Sequence, residues 1–273
     1  MTAMQVPHSP SLRATPHDTL VANDEPFQVC IEGDATAPAV MFSNSLGTSF
    51  GIWNAQAESL GRHFRTVRYN PRGFHPESAA SGDFSVEAMG RDALSILDAL
   101  EIKSVTWCGV SMGGAVGLWL MLNAPERIER AVIANAAPFF GGAANWSHID
   151  AVRAAGLADV AKGTSQRVLS PAFRERHPEV VEALRAQVAS VPVAAWAGCA
   201  AALRDLDLRE QIAAIRHRVL LIGGTHDLTT PWATTLALHA QLPDSSLIQL
   251  NAAHLSNVEC AAEFTAATND FLR

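Results

Sequence analysis

Ser104-Val105-Thr106-Trp107-Cys108-Gly109-Val110-Ser111-Met112-Gly113 is the stretch on which the fold turns. Residues 104–109 read as a strand and 113–123 as a helix, and Ser111 falls on the turn between them, the context that a G-x-S-x-G motif needs. The chemistry is steric in origin. A sharp strand-to-helix turn exposes one serine hydroxyl, and only very small residues two positions to either side let strand and helix approach so closely. Gly109 and Gly113 supply that clearance, and the turn brings the Met112 amide to a helix N-terminus, where partial positive charge favours an oxyanion.

Outward from this turn, apolar runs at 27–31, 39–43, 64–69, 104–109, 130–134, 218–223 and 246–250 alternate with helical patterns at 51–63, 85–100, 113–123, 231–241 and 261–272. Val219-Leu220-Leu221-Ile222 is continuously apolar, as a strand buried on both faces should be. In 85–100, Ser85 is a helix cap, Glu87 sits in the first turn, and Val86, Met89, Ala93, Leu97 and Leu100 share one stripe. The alternation predicts an α/β fold, a mostly parallel sheet flanked by helices. Residues 138–215 break the rhythm with helical patterns only, at 149–162, 177–189 and 193–203, and are expected to form a helical cap over the carboxyl edge of the sheet, where ligands bind in open α/β folds. The core is then 19–137 with 216–273, preceded by a flexible arm over 1–18, which is polar and punctuated by prolines.

A serine is a weak nucleophile unless a base takes its proton and an acid orients that base. In a strand-turn-helix serine site of this kind the three follow in the order serine, acid, histidine. Asp227 emerges after the strand at 218–223 in Gly223-Gly224-Thr225-His226-Asp227, and His254 after the strand at 246–250 in Asn251-Ala252-Ala253-His254-Leu255. The other acids in reach, Asp150, Asp205 and Asp207, follow no core strand. The second oxyanion donor is expected from the loop after the third strand, Asn44-Ser45-Leu46-Gly47-Thr48, at the Leu46 amide, paired with that of Met112. Ser45, Trp146, His148 and Arg72 are candidate pocket residues, with bracing of its own loop the favoured alternative for Arg72. Trp53, Trp196, Phe139 and Phe140 read as core.

With 48% hydrophobic and 17% charged residues, the chain has the composition of a packed globular protein. A net charge of -7 argues against a nucleic-acid partner, and nothing suggests a membrane surface. Cys30, Cys108, Cys199 and Cys260 are scattered without a C-x-x-C pair, which points to free thiols in a reducing, cytoplasmic setting. The absence of a His-x-x-x-His or cysteine cluster disfavours a metal site. Composition is silent on oligomeric state.

Taken together, these residues resemble the α/β-hydrolase superfamily and, within it, the 3-oxoadipate enol-lactonases. Ser43-Asn44-Ser45-Leu46-Gly47-Thr48 looks like that family's oxyanion loop. Trp107-Cys108-Gly109-Val110-Ser111-Met112-Gly113-Gly114 resembles its nucleophile turn, Gly224-Thr225-His226-Asp227-Leu228 its acid segment, and His254-Leu255-Ser256-Asn257-Val258-Glu259 its base segment. The resemblance, over residues 19–273, implies an α/β-hydrolase fold and a cofactor-free hydrolase of a small enol-lactone from aromatic-acid catabolism, the β-ketoadipate pathway. Two departures stand out. Arg68-Tyr69-Asn70-Pro71-Arg72-Gly73-Phe74-His75 replaces the family's Arg-Tyr-Asp-x-Arg-Gly-His-Gly, and His148 stands where Arg-Ile-x-x-Val usually has its arginine. A carboxylated substrate favours a permanently charged, bidentate partner, which histidine is not. Alternatives are therefore a neutral ester or aryl lactone, perhydrolysis with peroxide, or a fold that binds a small ligand without turning it over.

Overall fold

The computed structural model describes residue 12 and residues 17–273. The arm expected over 1–18 lies outside the described residues, apart from Leu12, His17 and Asp18. Asp18 already belongs to a strand that the alternation of apolar runs does not reveal: β1 (Asp18–Ala22) pairs antiparallel with β2 (Glu25–Glu32). Asn23 and Asp24 join them, both at positive φ (52° and 58°), the backbone of a two-residue hairpin whose twist matches its strands.

The chain continues through β3 (Ala39–Ser43), α1 (Asn54–Leu60), β4 (Arg65–Tyr69), α2 (Val86–Ala99), β5 (Val105–Val110), α3 (Met112–Asn123) and β6 (Ile128–Ala134). Six helices follow: α4 (Gly142–Asn145), α5 (Ile149–Ala155), α6 (Ala158–Val168), α7 (Pro171–Arg176), α8 (Pro178–Ser190) and α9 (Val193–Asp205). The chain then returns through β7 (Arg218–Gly224), α10 (Trp232–Gln241), β8 (Ser245–Leu250), α11 (Ser256–Glu259) and α12 (Ala261–Leu272). The helix expected at 51–63 divides into a 3-10 turn, Phe50–Trp53, and α1, and the one at 149–162 breaks at Gly156 (φ 84°) into α5 and α6. Ser85 caps α2 as its sequence suggests, accepting from the Ala88 amide at 3.0 Å.

One eight-stranded sheet has the order β1-β2-β4-β3-β5-β6-β7-β8, antiparallel at β1-β2 and β2-β4 and parallel from β4 onward. Val219 and Leu221 point into one core layer and Leu220 and Ile222 into the other, which explains why β7 has no polar alternation. From β3 the chain crosses to β4 on one side, and it then returns to β5 on the other. The carboxyl ends of β3 and β5 therefore flank the point where the winding reverses, the place where open α/β sheets hold ligands.

Helix α9 rests on the turns beside that point. A Cβ on Gly73, which sits at φ +82°, would lie 2.7 Å from the Ala195 Cβ, and one on Gly47 would lie 3.1 Å from Trp196 Cδ1. Both ends of the helical segment meet at an antiparallel bridge between Phe139 and Asp207. No single helix among the described residues is long and apolar enough to cross a membrane.

Candidate active site

Ser111 sits between β5 and α3 with φ 56° and ψ -114°, a conformation that costs an L-residue on the order of 1–3 kcal/mol. Neighbouring backbone enforces it. A Cβ on Gly109 would lie 2.2 Å from the Gly113 carbonyl oxygen, and one on Gly113 would lie 2.1 Å from the Ser43 carbonyl oxygen. The first glycine thus lets strand and helix meet. The second is required by the neighbouring strand β3, a demand that the spacing of the motif does not disclose. Trp107, wholly buried in β5, donates its Nε1 to the Gly113 carbonyl at 2.9 Å and steadies the first turn of α3.

Ser111 Oγ lies 2.8 Å from His254 Nε2, and His254 Nδ1 lies 2.9 Å from Asp227 Oδ2. All three residues are buried. Asp227 Oδ1 accepts from the Thr229 and Thr230 amides (2.8 and 2.9 Å), and its Oδ2 accepts from Asn135 Nδ2 (2.9 Å) and Thr230 Oγ1 (2.7 Å) as well as from His254. Burial alone would raise the carboxyl's pKa. The charge and hydrogen bond of His254, with the Thr230 amide and the Asn135 carboxamide, overcome it and hold the group down at about 2. An ionised carboxylate only accepts, so His254 Nδ1 carries a proton, and in the neutral ring Nε2 then offers its lone pair to the Ser111 hydroxyl.

Residues 45–48 form a tight turn in which the Thr48 amide and hydroxyl both donate to the Ser45 carbonyl, at 3.1 and 2.8 Å. Gly47 takes the third position at φ +74°, as such a turn requires. The neighbouring Gly113 amide is occupied by the Asn44 carbonyl at 2.9 Å. The Leu46 and Met112 amides, by contrast, donate to no group among the described residues. They are the two donors that sequence singles out for an oxyanion.

Asn70 explains the rebuilt turn. Its Oδ1 accepts from the Phe50 amide (2.8 Å) and Asn44 Nδ2 (3.4 Å), while its Nδ2 donates to Gln28 Oε1 at 2.7 Å. An aspartate could accept the first two but could not donate the third, so asparagine here fits the glutamine on β2.

The pocket candidates divide. Ser45 is buried in the turn itself. Trp146 spends its Nε1 on the Phe140 carbonyl (3.0 Å) and stacks on His148 at 6.0 Å between centroids. His148 in turn lies 6.1 Å from Trp196, whose indole abuts Gly47. Trp196, read from sequence as core, is buried, and its indole lies against Gly47 in the turn 45–48. Arg72, a pocket candidate with bracing as the favoured alternative, is held as a brace. Its Nε and Nη2 grip Asp92 at 2.6 and 2.5 Å, and its guanidinium lies 5.6 Å from the Phe84 ring centroid. The Nε–Nη2 edge of the guanidinium is thereby committed to a carboxylate within the protein.

Sequence reading missed Asn135, Thr230 and Ser256. Asp227-x-x-Thr230 is a local pattern in which an aspartate bonds backbone and hydroxyl three residues on, and could have been read. Asn135 follows the apolar run of β6 directly, but its partners lie 92 to 121 residues away. The rival acids are engaged elsewhere: Asp150 with Arg153, Asp205 with Arg204, Asp207 with Arg209. Among the described residues no group of His, Cys, Asp or Glu could hold a metal ion.

The model of the alpha/beta hydrolase fold family matches residues 38–259. The chain belongs to that family and is an enzyme of the hydrolase class. It is 35% identical to 3-oxoadipate enol-lactonase 2 of Acinetobacter baylyi, across 94% of this chain and 96% of that protein. Among solved structures, a hydrolase from Pseudomonas aeruginosa matches with TM-score 0.90 at 38% identity, covering 95% of this chain and 99% of that one. The enol-lactonase from Burkholderia xenovorans matches with TM-score 0.90 at 31% identity, covering 93% and 99%.

Proposed function

We propose that this protein is a serine hydrolase that opens a small ester or lactone, with an enol-lactone such as 3-oxoadipate enol-lactone as the leading substrate class. The observation that carries the reading is the continuous relay from Ser111 Oγ through both nitrogens of His254 to Asp227, beside two amides that donate to no group among the described residues. Ser111 attacks the carbonyl as His254 Nε2 takes its proton, and the Leu46 and Met112 amides receive the developing oxyanion. The adduct then collapses, breaking the carbonyl carbon's bond to the ester or lactone oxygen, which takes the proton from His254. Water next attacks the acyl-enzyme with His254 again as base, and the Ser111 oxygen departs with that proton as the ring-opened acid or the acid half of the ester is released. A relay of this kind is worth on the order of 10⁴–10⁶ in rate. No step in this chemistry calls for a cofactor. The likeness to the Acinetobacter and Burkholderia enol-lactonases supports the lactone class.

A second reading, a neutral ester or aryl lactone, draws on one observation: His148, at the position where the family pattern has an arginine, lies among the rings of Trp146 and Trp196. Turnover of a carboxylated enol-lactone measured against dihydrocoumarin separates the two, since a carboxylate-reading pocket prefers the first by 10-fold or more, roughly what one charged hydrogen bond contributes. A fluorophosphonate that labels the wild-type protein at Ser111 excludes a fold that only binds. Four unpaired cysteines accord with a reducing, cytoplasmic setting.

A further inference from the structure

We infer that Asn135 is a positioning residue for the acid–base pair: its carboxamide ties Asp227 to the segment bearing His254 and sets the basicity of the carboxylate that faces the imidazole. The inference rests on the relay proposed above. Asn135 Nδ2 donates to Asp227 Oδ2 at 2.9 Å, the same oxygen that faces His254 Nδ1, and to the Ala253 carbonyl at 3.2 Å, one residue before the histidine. Both partners only accept, so the atom between them is the amide nitrogen. The Ser256 hydroxyl then donates to Asn135 Oδ1 at 2.5 Å and locks the remaining side of the group. One side chain at the end of β6 thus holds the loops after β7 and β8 to each other.

The backbone supports a dedicated role. Asn135 is 0% exposed and sits at φ 46°, a left-handed conformation that asparagine tolerates better than most residues, and its amide donates to the Ile222 carbonyl at 2.8 Å. Aspartate at this position would set carboxylate against carboxylate, and leucine would leave the Ala253 carbonyl buried without a donor. The other titratable groups nearby are turned elsewhere: His226 faces Asn251 Oδ1 at 2.9 Å, and Glu259 Oε1 receives the Ala253 amide at 2.8 Å.

A carboxylate deprived of one donor becomes more basic and holds a cationic imidazole more firmly. Asn135→Gly keeps the positive φ and deletes the carboxamide. Ser256→Ala leaves the asparagine in place and frees its carbonyl, which provides the same test should the glycine variant fail to fold. Two readouts follow: the pH profile of kcat/KM on p-nitrophenyl acetate, and the low-field proton resonance of His254 Nδ1–H titrated by NMR. In Asn135→Gly we expect the acid limb and the resonance midpoint to move up together by about 0.5 to 1 pH unit, with kcat down roughly 10-fold and KM little changed. Ser256→Ala moves both in the same direction by less. A limb and midpoint that stay at the wild-type pH in both variants, with activity lost only in step with thermal stability, would overturn the inference. A wild-type protein unlabelled by fluorophosphonate and lacking the low-field resonance would overturn the relay itself, and this role with it.

Discussion

Gln187 on α8 and Ser49 hold each other at two points: the Ser49 amide donates to Gln187 Oε1 at 3.0 Å, and Gln187 Nε2 donates to Ser49 Oγ at 2.5 Å. Ser49 follows directly on the turn 45–48 that presents the Leu46 amide, so this pair couples the helical segment to the turn proposed to bind the oxyanion. Gln187→Ala is expected to cost about 1–2 kcal/mol of stability for two half-buried hydrogen bonds. It should also lower kcat/KM about 3- to 10-fold, because a misplacement well under an ångström weakens oxyanion binding. Urea unfolding and ester kinetics check both, and an unchanged kcat/KM would place the pair outside the chemistry.

Arg72 and Asp92 form a pair in which the carboxylate side chain is only 2% exposed. Removing the cation leaves a buried charge with Asn23 Nδ2 as its remaining side-chain partner, at 2.8 Å. Arg72→Ala is expected to lose about 3 kcal/mol of stability, and adding Asp92→Asn to recover part of it, while KM for a carboxylated lactone stays near wild type. A rise in KM of tenfold or more in a folded Arg72→Ala protein would return the arginine to the pocket.

The depressed pKa of Asp227 makes a pH prediction with a definite sign. Its folded value of about 2 lies below the ordinary 3.8, so the folded state binds the proton less readily than the unfolded one. The associated stability, about 2 kcal/mol, is fully present above pH 4 and is lost as the pH falls toward 2. Unfolding free energy measured from pH 5 down to 2 should fall more steeply in the wild type than in Asp227→Asn, whose kcat should drop about 10⁴-fold.

The backbone at Ser111 stores strain that a glycine does not feel. Ser111→Gly and Ser111→Ala both lose the hydroxyl and its hydrogen bond to His254, yet only glycine tolerates φ 56° freely. The glycine variant is therefore expected to be more stable than the alanine variant by about 1 kcal/mol, a difference of roughly 2 °C in Tm. Differential scanning calorimetry of the two proteins checks it, and equal Tm values would deny the strain.

Residues 219–222 read as a strand buried on both faces, and so they are, because a continuous apolar run is a local signature of a double-sided environment. The turn at Ser111 was legible for the same reason, its glycines being dictated by contacts within a few residues and one neighbouring strand. The β1-β2 hairpin could have been read too, from Asn23-Asp24, a pair that favours the left-handed turn it makes. Asp227 and His254 were placed by chain order and by following core strands.

What tertiary structure alone decided are the relations among residues far apart in the chain. No local signal tells that Asn135 meets Asp227, that Gln28 asks for asparagine at position 70, or that Arg72 is already held by Asp92. Nor does one tell that Trp196 presses on Gly47. The physical reason is range. Helix periodicity, strand alternation and glycine sterics act over a handful of residues and are written into the order of amino acids. A hydrogen bond between buried groups depends on which surfaces the sheet brings together, and that exists only once the chain has folded.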